Sequence, residues 1–276
     1  MIRDGLRLIR PRVSLAVAAG SLFGVLYHGG ADPAGAVLAP VGAFALCAAC
    51  SVVNQIQERG PDARMERTRN RPLASGRIPV ARAALLAALL LSAGLASFFL
   101  AGGGALFLLG VVIVAVYNGV YTPLKRVTPL ALLAGGVAGA APPLTGWMAA
   151  GGQPFDPGIL AVTVVFYLWQ VPHFWLLAEK HRADYQRAGF AMLSASLSPA
   201  FRSRLMGVWV GAYFVGLGCL AGLAGPESLR WIVPPVLLLT GGAAAGMAAT
   251  NRLRPASTAM YVSLPLGLFP LLINTL

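Results

Sequence analysis

Asn54, Glu58 and Asp62 stand four residues apart in "NQIQERGPD". On one continuous helix they would share a face, about 6 Å apart along the axis. Oxygen ligands at that spacing suit Mg²⁺, which takes one or two carboxylates and completes its shell with phosphate and water. Arg64, Arg67 and Arg71 follow in the same run, and guanidinium forks match phosphate oxygens two at a time. A metal flanked by arginines describes a diphosphate site. The competing reading is an ordinary solvated basic loop, and spacing alone leaves both open. Gly60-Pro61, between Glu58 and Asp62, is expected to break or re-aim the helix.

The elements that hold this run are apolar. The chain has 276 residues, 57% of them hydrophobic and only 11% charged, with a mean hydropathy of +0.73. Soluble domains are about a quarter charged, so the composition is that of a membrane protein. A span needs roughly 20 apolar residues. Nine windows qualify, at about 13–29, 34–53, 81–101, 103–121, 129–150, 157–178, 204–223, 229–249 and 258–275. No soluble domain fits in what remains. The expected fold is all-α: a polytopic membrane protein of nine transmembrane helices, with 1–276 as one domain.

The net charge of +12 raises the question of nucleic acid, but its placement answers otherwise. Alternating the nine windows puts 20 of the 21 basic residues on the face that holds the N-terminus, and only Arg230 on the other. That asymmetry sets an N-in, C-out topology. No nucleic acid is implied; the lipid bilayer is. The opening run "MIRDGLRLIRPRVSLAVAAGSLFGVLY" has the look of a signal peptide and reads as an uncleaved first helix, because its removal would spoil the charge alternation.

The inner connections are long and loaded, chiefly 54–82 and 179–204, with "YTPLKRVTP" at 121–129. Loops of this kind carry sites while rigid elements hold them. Pro142, Pro143, Pro172, Pro234, Pro235, Pro265 and Pro270 suggest kinked spans around a cavity, and "GGVAG" (135–139) suggests close helix approach. "CAAC" (47–50) lacks partner ligands and reads as small packing residues, as does Cys219.

Three stretches carry a family resemblance. "NQIQERGPDARMERTRNRPL" resembles the first acidic motif of the UbiA prenyltransferase superfamily, and its "RMERTRNRPL" is similar to the protohaem farnesyltransferase branch. "YTPLKRVTPLALLAGGVAGAAPPLTGW" (121–147) and "LWQVPHFWLLAEKHRADYQRAGFAML" (168–193) resemble the same branch, in the same order. The resemblance covers roughly 45–193. It departs from the branch at Glu58, where aspartate is usual, at "ERGPD", and at "SASLSPAFRSR" after 193.

The resemblance implies a UbiA-like bundle in a bacterial inner membrane, with its polar loops on the cytoplasmic side. It implies that a prenyl diphosphate, here farnesyl diphosphate, is ionised with Mg²⁺ and that the allylic cation alkylates a vinyl group of protohaem IX. By position, Asn54, Glu58 and Asp62 would hold Mg²⁺, and Asp184 would be the acid of the second motif. Arg64, Arg67 and Arg71 would steady phosphate or a haem propionate. Tyr121 and Lys125 match the superfamily's Tyr-x-x-x-Lys, with Arg126 a further anion partner. His173 in "QVPHFW" would be a haem-iron ligand or an acid/base near the vinyl, against the plain alternative of a hydrogen-bonded helix histidine. Tyr117, Tyr121, Phe166, Tyr167, Trp169, Phe174 and Trp175 are candidates to face the cation, or an interfacial belt. A haem-modifying enzyme downstream is a further partner. Two other readings stay open: a UbiA-type enzyme prenylating a quinone precursor or other aromatic, and a small-molecule or haem transporter whose basic loops only set topology.

Overall fold

A computed structural model describes residues 2–30, 33–193 and 197–273. Ala31 and Asp32 of the first outer loop, the start of "SASLSPAFRSR", and the end of the 258–275 window lie outside these residues. Among the described residues every regular element is helical. The chain divides into two compact units, residues 1–154 with 181–191, and residues 155–180 with 192–276.

The first unit begins with a short amphipathic helix α1 (Ile2–Ile9) and with α2 (Pro11–His28), joined at Arg10 in the left-handed region, φ 48°. Pro11 opens α2, where its missing amide has no partner to lose. Helix α3 (Pro33–Gln57) runs up to the acidic stretch, and a six-residue helix α4 (Arg59–Arg64) carries Asp62. Helix α5 (Val80–Val114) continues through a π-helical segment, Ala115–Tyr121, and a last turn α6 (Thr122–Leu124). Helices α7 (Ala131–Ala140) and α8 (Pro142–Ala149) divide the 129–150 window at Ala141. Helix α10 (Arg182–Ala188) also belongs to this unit.

By length and composition, five of the described helical runs suffice to cross a membrane, or six if α1 and α2, bent by 45°, count as one. One of the five, Val80–Leu124, has 45 residues. Straight, it would extend about 67 Å, over twice the roughly 30 Å hydrocarbon core. It is not straight. Gly102 (φ −152°) and Gly103 (φ 66°, ψ −158°) leave the helical region, and the second conformation is open essentially to glycine alone. Gly110 lies against Phe98, a Cβ there falling 2.9 Å from the Phe98 ring. Twelve residues of unbroken helix would hold the two about 18 Å apart. The run therefore doubles back into two legs, matching the 81–101 and 103–121 windows.

Small residues let this unit close. Phe98 fills the notch at Gly42, and Leu46 that at Gly94; both lie in an apolar core with Val25, Ala39, Ala43, Leu106 and Ala149. Helices α2 and α8 meet backbone to backbone. A Cβ at Gly24 would fall 1.8 Å from the Pro143 carbonyl oxygen, and one at Gly146 1.7 Å from that of Ser21. Thr145 Oγ1 lies beside this contact, donating to Ser21 Oγ at 2.9 Å or to Pro142 O at 2.7 Å. Backbone cannot give way as a flexible side chain can, so Gly146→Val is expected to cost about 3 kcal/mol or more. A lowered melting temperature in detergent is the readout; an unchanged one would contradict the contact.

The second unit contains α9 (Pro157–Lys180), α11 (Pro199–Ala224), α12 (Val233–Ala249) and α13 (Leu253–Ile273). Leu217 fills the notch at Gly267, and Phe214 that at Gly241. Tyr213 Oη and Ser263 Oγ share a buried hydrogen bond of 2.9 Å, which satisfies both polar tips where no water would. The prolines divide into two groups. Pro142, Pro143, Pro234 and Pro235 lie in the first turns of α8 and α12, whereas Pro172, Pro265 and Pro270 lie inside α9 and α13.

Candidate functional site

The acidic ladder is the end of α3 continued into α4. The Glu58 amide donates to the Asn54 carbonyl at 2.9 Å, and the Asp62 amide to that of Glu58 at 2.7 Å. The three residues are thus linked turn by turn and all are buried. The expected break comes at Glu58 (φ −101°, ψ 10°), not at Gly60-Pro61. Pro61 falls in the first turn of α4, where an amide is dispensable. It does leave the Gln57 carbonyl, four residues back, without its usual helical donor. Arg126 supplies one: its Nη2 donates to Gln57 O at 2.8 Å.

Cations face both carboxylates. Lys125 Nζ lies 2.5 Å from Glu58 Oε1, and Arg71 Nη1 2.6 Å from Asp62 Oδ2. Arg71 reaches back because the chain after α4 winds tightly: Thr68 Oγ1 donates to the Asp62 carbonyl at 2.9 Å, and the Arg71 amide to Thr68 O at 2.8 Å. Lys125 also sits over the Tyr121 ring, 4.7 Å from its centroid, and nearer that of Phe190 than 6 Å.

The π-helical segment seats these groups against α3. Asn118 Nδ2 donates to Cys50 O at 3.1 Å, and Gln57 Nε2 to Asn118 O at 2.9 Å. Asn54 Nδ2 donates to Thr122 Oγ1 at 3.2 Å, and Thr122 in turn to the Tyr117 carbonyl. A wider π turn is a frequent companion of functional sites. Here it brings Tyr117 against Tyr121, their rings tilted by 50° with centroids 5.2 Å apart. The first glycine of "GGVAG" makes room for a ring as well as for a helix: a Cβ at Gly135 would meet Tyr121 at 2.8 Å. Asn118, Gln57 and Thr122 were not among the residues singled out from sequence. The only signal was a lone asparagine in the apolar run "VYNGVY".

Asp184 is tied to the loop that follows α4. Its Oδ1 accepts from the Glu66 amide at 3.0 Å, its Oδ2 from the Arg67 amide at 3.2 Å, and Arg187 pairs with Oδ1. Met65, Ala188 and Phe190 pack together beneath this clasp. The hydrogen bond from Arg187, then that from the Glu66 amide, pull the Asp184 pKa down to about 2. A depressed carboxylate pKa stabilises above its ordinary value, near ~4, and the contribution is lost as pH falls through the folded value. The clasp thus holds from neutrality to about pH 4 and opens towards pH 2. Asp184→Asn is therefore expected to leave the acid limb of the pH–rate profile in place above about pH 4. A limb that moves in the variant would contradict this.

Arg67, just beyond the clasp, keeps an open side, yet desolvation by partial burial lowers its pKa; it remains a cation at any working pH. Arg64 is exposed in the last turn of α4. His173 belongs to the second unit, on α9, as do Phe166, Tyr167, Trp169, Phe174 and Trp175. Phe166 and Trp175 are buried. Cys47, Cys50 and Cys219 are unpaired thiols.

Among the described residues no three or more His, Cys, Asp or Glu side chains cluster as a metal site. Glu58 and Asp62 nonetheless fit Mg²⁺. Glu58 Oε1, though ion-paired, and Asp62 Oδ1 are buried oxygens without a hydrogen bond. One or two carboxylates are what this ion usually takes from a protein when a phosphate completes the shell.

Known proteins resemble this chain over most of its length. Residues 14–268 match the UbiA prenyltransferase family. The chain is 48% identical over 219 residues to a protoheme IX farnesyltransferase of Oleidesulfovibrio alaskensis, covering 79% of this chain and 77% of that one. It is 40% identical over 262 residues to one of Nitratidesulfovibrio vulgaris, covering 95% and 90%. A UbiA homolog from Archaeoglobus fulgidus, solved bound to GPP and Mg²⁺, superposes with a TM-score of 0.65 at 16% identity, covering 97% of this chain and 99% of that chain. The chain belongs to the UbiA prenyltransferase family.

Proposed function

We propose that the protein transfers the farnesyl group of farnesyl diphosphate to a vinyl group of protohaem IX, giving haem O. The acceptor rests on the relatives, which match most of the chain. The donor is supported by one observation in the structure: a buried carboxylate oxygen left open on Asp62, beside the ion pairs Glu58–Lys125 and Asp62–Arg71.

The allylic C–O bond of farnesyl diphosphate breaks and the bonding pair leaves on the diphosphate. Negative charge grows on that leaving group, and fixed cations stabilise it more strongly in the transition state than before. Lys125, Arg71 and Arg67 supply those cations. Mg²⁺, held by Glu58 and Asp62 near Asn54, would neutralise further diphosphate charge when bound. Tyr117 and Tyr121 present aromatic faces to the allylic cation. The terminal vinyl carbon of the porphyrin attacks it. Water then adds to the inner carbon and loses a proton, leaving a hydroxyethylfarnesyl side chain. Asp184 holds the loop that carries Arg67, and Arg126 holds the end of α3. Arg64 is read as an outer contact for phosphate or propionate.

We read residues 1–276 as one catalytic domain of a bacterial inner membrane, with nine crossings, N-terminus and polar loops inside and C-terminus outside. The basic asymmetry and the doubling back of α5 support this count. The test is an acceptor screen on purified protein with Mg²⁺ and farnesyl diphosphate. Reduced protohaem should be consumed and 4-hydroxybenzoate left unchanged; the reverse would move the protein to the quinone-precursor reading.

A further inference from the structure

The diphosphate chemistry leaves His173 unused, although its ring is held on several sides within the second unit. Tyr261 Oη, from α13, lies 3.0 Å from His173 Nδ1. Trp169, one turn earlier on α9, stacks on the imidazole with centroids 4.6 Å apart and planes within 12°. Trp169 is itself fixed, its Nε1 donating to the Met260 carbonyl at 3.1 Å and its ring meeting Tyr261 edge-on. These contacts engage Nδ1 and the ring face and leave Nε2 untouched. Tyr261 is 49% exposed and His173 only partly buried, so the cluster is reachable.

A helix tie needs no such orientation; a ligand does. Metal-binding imidazoles characteristically use one nitrogen in a hydrogen bond that fixes tautomer and ring plane, leaving the other to bind. A phenol accepts as readily as it donates. When Nδ1–H donates to Tyr261 Oη, the lone pair sits on Nε2. Building on the acceptor proposed above, we infer that Tyr261 is a positioning residue that orients His173, so that Nε2 ligates the iron of the porphyrin. Axial ligation through an imidazole of fixed orientation sets the plane of the bound porphyrin.

The test is a titration of the full-length protein in detergent with ferric protohaem, followed by absorbance, with farnesyl diphosphate binding measured on the same samples. The unmodified protein is expected to give a histidine-ligated spectrum. His173→Ala should lose it, and added imidazole should restore it. Tyr261→Phe, which removes one oxygen from a half-exposed position, should keep the ligand but weaken haem binding about tenfold, with farnesyl diphosphate binding unchanged. A native spectrum in His173→Ala, or native haem affinity in Tyr261→Phe, would overturn the inference while leaving the acceptor intact. Farnesyl diphosphate binding without any haem binding in the unmodified protein would overturn both.

Discussion

Asp62→Asn is expected to lower kcat for farnesyl transfer about a thousandfold, the scale on which a lost electrostatic partner of a developing charge is felt. The substitution is nearly isosteric. The Asp62 backbone carbonyl, which receives Thr68 Oγ1, is untouched, so the turn that follows α4 should keep its shape. What changes is charge. The open Oδ1 loses its pull on a divalent cation, and Arg71 loses the carboxylate it faces at 2.6 Å. Farnesyl diphosphate binding should fall much less than turnover, because the cations that meet the diphosphate remain. Turnover within tenfold of native, in steady-state kinetics at saturating Mg²⁺, would remove Asp62 from the chemistry.

Lys125→Met is the second large effect, and it should separate stability from catalysis. The Lys125 and Glu58 side chains are only 17% and 5% exposed, so the substitution leaves a buried carboxylate without its cation, a loss of about 3–5 kcal/mol. It also removes a cation from the leaving group, worth about a hundredfold or more in kcat. The double variant Lys125→Met/Glu58→Gln has no orphaned charge. It should recover most of the melting temperature and none of the activity. Recovery of both together would mean that the pair serves the fold alone.

Much of the site was legible because it lies in one stretch. Residues four apart announce successive turns, and the backbone hydrogen bonds through Asn54, Glu58 and Asp62 keep those turns linked across the break at Glu58. Where side chains meet partners outside their own helix, legibility ends. Arg71 pairing with Asp62 depends on a loop wound by Thr68. The Asp184 clasp joins residues more than a hundred positions apart, so the sequence marked an acid of the second motif without revealing that its oxygens hold two backbone amides. The π turn at Ala115–Tyr121 has no periodic signature, and its Asn118 stood out only as a polar residue in an apolar run. The doubling back of α5 was readable at "AGGG", because glycine in succession is where a long apolar run can reverse. Arg126 was marked by its charge as an anion partner; its bond to the Gln57 carbonyl follows from a proline 65 positions earlier in the chain, which only the folded geometry brings beside it.

The central claim, that Glu58, Asp62 and their cations ionise an allylic diphosphate whose carbon is captured by a porphyrin vinyl, is tested most directly by running the reaction in ¹⁸O-labelled water and weighing both products. Ionisation at the farnesyl carbon followed by hydration of the side chain places the label in the haem product, as one farnesyl group plus one ¹⁸O hydroxyl, and leaves the released diphosphate unlabelled. Label in the diphosphate with unaltered haem would mean that the same residues cut the P–O bond as a hydrolase, and would contradict the account.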